Sequence, residues 1–127
     1  MTLAQKLKAI REVIDLEIPK DDIDSILGKG NKLESLIGLS AECKAEAKKL
    51  LSLKKLEKLN ELQGQDLAPS VLIKAVDIHA AEEDAVFQYA DRINAAVTHE
   101  LDYMRTLISY YKEEMRASQL PGIPNAT

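Results

Sequence analysis

Two histidines each stand three residues before an acid: His79 before Glu82, and His99 before Asp102. Residues three apart share a helix face, so each segment could offer two ligands to a metal ion. Helical di-metal proteins use Glu-x-x-His, and the order here is reversed. On one continuous helix the two segments would lie about 30 Å apart. They would converge only through a hairpin or an antiparallel partner. Local hydrogen bonding on a charged helix is the simpler reading of both pairs, and no metal is expected.

The other reactive residue types are equally sparse. Glu82-Glu83-Asp84 reads as a solvated helix face. The magnesium pattern of all-α nucleotide pyrophosphohydrolases needs Glu-x-x-Glu and then Glu-x-x-Asp. Here Glu82 is followed by Ala85 and Glu100 by Tyr103 at those positions, so the pattern is not met. Cys43 is the only thiol and has no adjacent His, which suits a small buried helix residue better than a nucleophile. Gly28-Lys29-Gly30 lacks the spacing of a phosphate loop and a preceding strand. No catalytic residue and no cofactor are expected.

A nucleic-acid reading has more material. Leu36-Ile37-Gly38-Leu39-Ser40 is similar to the turn of a helix-turn-helix, with Gly for the turn and Ser as the cap of a recognition helix. Lys44, Lys48, Lys49, Lys54 and Lys55 would then face phosphates. Two features depart from that pattern. Lys44 stands where a recognition helix needs a bulky apolar residue, and residues 41–59 contain no Arg, Asn or Gln to read bases. Glu42, Glu46 and Glu57 interleave with the lysines, as on an ordinary mixed-charge face.

These residues must be carried by helices. Ala, Leu, Glu and Lys abound, and aromatic residues make up only 4% of the chain. Thr2 with Gln5 forms a capping-box pattern, opening a helix with Leu3, Leu7, Ile10 and Ile14 on one face. Pro19 ends it. A short helix over 21–27 should stop at Gly28, with a turn through Asn31. Asn31 with Glu34 repeats the capping box, Gly38 interrupts, and Ser40 caps the next helix, which Gly64 stops. Leu50, Leu53, Leu56, Leu59 and Leu62 recur every third residue and so wind around that helix by about 60° per step. One unbroken helix with a broad buried surface is the favoured reading there.

Between Pro69 and Pro121 there is no Gly or Pro. Val86, Ala90, Ile93 and Val97 space as 4-3-4, and Val97, Leu101, Met104, Ile108, Tyr111 and Met115 continue the track. One helix over 70–116 would be about 70 Å long, against a diameter of roughly 35–40 Å for a globule of this chain length. Its stripe would need a second copy to cover it, unless it breaks near Asn94 or Thr98. Ile93, Val97, Leu101, Met104, Ile108 and Tyr111 are therefore the expected interface. Tyr103 and Tyr110 flank it.

The chain has 127 residues and a formal net charge of −4, which disfavours whole-surface attraction to nucleic acid or anionic lipid. Residues 32–65 are locally basic, with seven Lys against five acids. A lone Cys excludes an internal disulfide, and no apolar run approaches the ~18 residues of a membrane span. Soluble, cytoplasmic and free of membrane is the default expectation. The sequence thus predicts an all-α helical bundle with a long C-terminal helix and coiled-coil-like packing. Its parts are a 1–63 region of short helices, a 66–117 amphipathic helix and a disordered tail over 118–127. The function expected is a non-enzymatic oligomerising or adaptor module, a homo-oligomer or a binder of another protein. The alternative is a DNA-binding accessory protein multimerised by its C-terminal helix.

Overall fold

The computed structural model describes residues 1–119. Four helices follow in order: α1 (Leu3–Ile14), α2 (Ile23–Leu62), α3 (Pro69–His79) and α4 (Ala81–Gln119). The expected tail lies outside the described residues, except that Ser118 and Gln119 are helical.

The α1 start follows the capping box. Gln5 N–H donates to Thr2 Oγ1 at 3.2 Å, and Thr2 N–H donates to Gln5 Oε1 at 2.9 Å. Two orphan donors of the first turn are thereby satisfied. At the start of α2, Asp22 accepts from Asp24 N–H at 3.2 Å and from the Ser25 hydroxyl at 2.7 Å. The Ser25 bond is the main reason the Asp22 carboxyl titrates below its ordinary value.

The short helices expected in the N-terminal half are one 40-residue helix, α2. Gly28, Gly30, Asn31, Gly38 and Ser40 are all interior to it. Each helical Gly costs about 1 kcal/mol relative to Ala. Burial of Ile26, Leu33, Cys43 and Ala47 along the same helix outweighs that cost. Ser40 caps nothing: its hydroxyl donates to Ile37 O at 2.9 Å and accepts from Asn94 Nδ2 at 2.9 Å. The helix-turn-helix turn is therefore absent. Gly38 is exposed, and a Cβ added there would meet no atom within 4 Å. Gly38→Ala should accordingly raise stability by about 1 kcal/mol in urea unfolding. A loss of stability would mean that the chain turns at Gly38.

The long C-terminal helix is interrupted once, at Ala80 and not near Asn94 or Thr98. Ala80 adopts φ −100° and ψ 11°, and it is fully buried. Hydrogen bonding carries on across it, from Ala80 N–H to Val76 O and from Asp84 N–H to Ala80 O. Three acids, Glu82, Glu83 and Asp84, fill the first turn of α4. They are the mark of a helix N-terminus, where the positive dipole end favours carboxylates.

α2 and α4 run antiparallel, as cross-helix pairs show. Lys29 meets Glu100 at 2.9 Å, Lys44 meets Asp91 at 2.9 Å, and Lys55 meets Asp77 of α3 at 3.6 Å. Buried residues recur every seventh position in both helices: Ile26, Leu33, Ser40 and Ala47 in α2, and Ala90, Val97 and Met104 in α4. That is the coiled-coil period. α1 lies in the groove between them, antiparallel to α2, with Lys6 near Glu46 at 3.9 Å. One core layer joins Leu7, Ile10, Cys43, Ala47, Ala90, Ile93 and Val97, and a second joins Ile26, Leu33, Leu101 and Met104. The architecture is an all-α bundle with a long C-terminal helix, and the N-terminal and C-terminal segments share its core.

The third layer stops short. Among the described residues, α1 makes no contact with α3. Beyond Ala47 the bundle thins to a hairpin of two helices, formed by residues 50–62 of α2 and by α3.

Candidate protein-interaction surface

The track expected to face a second copy is already used. Ile93, Val97, Leu101 and Met104 are each at most 3% exposed within the single chain. They form the seam of α4 with α1 and α2, which is why that track cannot serve as an open interface. Ile108 is half-buried against the second core layer, and Tyr111 is half-buried. Only Tyr103, Tyr110 and Met115 of that region are well exposed.

The lysines expected at a nucleic-acid face are scattered. Lys44 and Lys55 are engaged with Asp91 and Asp77. Lys48 and Lys49 are exposed, and Lys54 is half-buried. At about 100° per residue, Lys48, Lys49 and Lys54 point to different sides of α2. No single helix face presents them together to a phosphate backbone.

The candidate reactive groups also stay apart. His79 ends α3 and His99 lies in α4, both exposed. Among the described residues, no three His, Cys, Asp or Glu side chains gather where they could hold a metal ion. Cys43 is 1% exposed, and burial raises its thiol above the ordinary value. Among the described residues no helix is long and apolar enough to cross a membrane.

Lys29, expected in a turn, is instead the most constrained polar residue. Its ammonium donates to Ile14 O at 2.9 Å, Leu16 O at 2.8 Å and Glu100 Oε1 at 2.9 Å. All three N–H donors are used. Two of the acceptors are carbonyls at or just beyond the end of α1, where the helix ladder leaves them open. Lys29 therefore pins α1 to α2 and α4, and it has no spare donor for a ligand. A Lys whose partners come from residues 14, 16 and 100 leaves no local signal in the sequence.

The remaining feature is apolar and sits on the two-helix end. Leu50, Leu53, Leu56, Val71, Ile73 and Ile78 are between 46% and 73% exposed. The three-residue leucine spacing explains the α2 share. Leu51 takes the buried position on α2, and the leucines that drift away from it have no helix over them. The broad buried surface expected for this segment is thus missing within one chain. On α3, Val76 is buried against α2, whereas Ile78 and Val71 lie about 160° and about 140° away, on the opposite face. A helix that is apolar on both faces is ordinarily a buried helix.

Between the two helices runs a groove of about 390 Å³, lined by Lys55, Leu56, Leu59, Ile73, Val76 and Asp77. A smaller one of about 210 Å³ lies near Leu50 and Val86, and beside it Glu83 Oε2 is buried without a hydrogen-bond partner. A groove of about 620 Å³ between α1 and α4 has Leu7, Val86 and Tyr89 as its floor and Lys8, Arg11 and Glu12 at its rim.

No protein-family profile, no curated protein and no solved structure gives a significant match to this chain.

Proposed function

We propose that this protein is a non-enzymatic oligomerising or adaptor module that works through its two-helix end. The observation that carries the reading is the apolar surface of residues 50–62 and α3. Leu56 and Ile73, both more than half exposed, line one groove between the two helices, and exposed apolar side chains brought together in this way mark association sites in small proteins. The three-layer body supports it: α1, α2 and α4 form a self-sufficient core that presents the hairpin. The alternative of a DNA-binding accessory protein keeps its exposed lysines but not the turn that suggested it.

A photo-crosslinking residue placed at position 73, in the cell that makes the protein, tests the reading. It should trap protein adducts, whereas the same residue at exposed Arg105 should not. Absence of any adduct at position 73 would refute an assembly role for this end.

A further inference from the structure

We infer that α1 is a strap: it leaves the body and returns as a unit while α2 and α4 stay paired, and each departure bares Cys43. The inference is independent of the assembly reading above.

α1 has little of its own to hold it. It is 12 residues long, and an isolated helix of that length is marginal in water. Only Leu7 and Ile10 of it are buried. α2 and α4 bury residues along most of their shared length, from Ile26 to Leu51 and from Ala90 to Met104. Their polar ties, Lys44 with Asp91 and Asn94 with Ser40, make no use of α1. The seam of α1 with α4 is also open. The groove of about 620 Å³ lies along it, and one of about 400 Å³ lies past the end of α1, lined in part by Leu16, Tyr103 and Leu107. Few buried apolar side chains and open seams mark the segments that open first.

Two polar ties fasten the strap to the body. Lys6 reaches Glu46 at 3.9 Å, with both side chains partly exposed, so that tie is weak. Lys29 is the stronger, through Ile14 O and Leu16 O. When α1 departs, water reaches the ammonium and both carbonyls, and the bond to Glu100 stays. Opening therefore leaves no buried group unpaired, which is the costly case. Residues 15–22 join α1 to α2 without a helix, so α1 swings away with α2 intact.

Cys43 faces the strap. It shares a core layer with Leu7 and Ile10. It stands one turn before Glu46 on α2, and Lys6 is near enough to act on its thiol. At 1% exposure it meets no reagent while α1 is in place.

Labelling of Cys43 by dithiobis-nitrobenzoate, along a urea series below the unfolding transition, tests the inference. The free energy of the opening that admits the reagent should fall with urea at less than about half the slope of global unfolding, since that slope follows the surface exposed. Leu7→Ala should speed labelling at least ~30-fold, the effect of truncating a buried leucine. Val76→Ala lies on α3, which α1 does not touch. It should lower the urea midpoint and leave labelling within about 3-fold. Equal urea slopes would mean that the thiol is reached only by unfolding the whole chain, and would overturn the strap. Labelling unchanged by Leu7→Ala would overturn α1 as the part that moves.

Discussion

Lys29→Met is expected to cost about 2–4 kcal/mol of folding stability, read as a lower urea midpoint with little change in slope. The ammonium is 5% exposed and makes three hydrogen bonds, to Ile14 O, Leu16 O and Glu100. Met matches the length of the Lys stem but supplies no donor. Two carbonyls then lose their partner, and a half-buried carboxylate loses its counter-charge. Unmade bonds of this kind cost more than a made one contributes, because the groups stay away from water. Glu100→Gln should be milder, about 1 kcal/mol or less, because an amide oxygen still accepts from Lys29. An equal loss for both substitutions would show that the charge pair, and not the closure of the end of α1, is what matters. The α1 amides should also lose hydrogen-exchange protection first in Lys29→Met, since α1 is what the ammonium ties down.

The second large effect is Ile93→Ala, expected to cost about 2–5 kcal/mol. Ile93 is 1% exposed and packs in the layer with Leu7, Ile10, Cys43, Ala47, Ala90 and Val97. Truncation leaves a cavity between three helices that can close only in part. The decisive point is concentration. These contacts lie within one chain, so the loss should be the same in unfolding curves at low and high protein concentration. A loss that changed with concentration would return Ile93 to an interface between copies.

Ile93, Val97, Leu101 and Met104 show how far a hydrophobic track can be read. Their 4-3 spacing correctly announces a helix with a buried stripe. It does not say what covers the stripe, because a neighbouring helix of the same chain and a second copy bury apolar surface equally well. Length pointed to a second copy only on the assumption of a globular body. α2 is itself 40 residues long, so the body is elongated and the length mismatch disappears. The lysines misled for a related reason. Gly38 and Ser40 are local turn-formers whose preferences amount to about 1 kcal/mol, and a shared core overrides them.

Local chemistry was legible where it acts alone. The Thr2–Gln5 capping box, the helix stop before Gly64 and the start at Pro69 involve only near neighbours, and all three occur as the residues indicate. The acid run at Glu82–Asp84 carried the Ala80 break just as locally, but it can equally be taken for a solvated face. Lys29, Asn94 and Ser40 had no such signal, since their partners come from distant residues.

By itself, the sequence determined the helical class, the starts of α1 and α3 and the central buried residues of α1 and α4. Those follow from periodicity and capping, which depend on residues a few positions apart. Only the tertiary structure decided that α2 is continuous, that the α4 seam is internal, and that the uncovered apolar surface lies at the α2–α3 end. The reason is that which faces stay covered depends on how distant helices pack: α1 makes no contact with α3, and nothing local to residues 50–79 records which of their faces remain open.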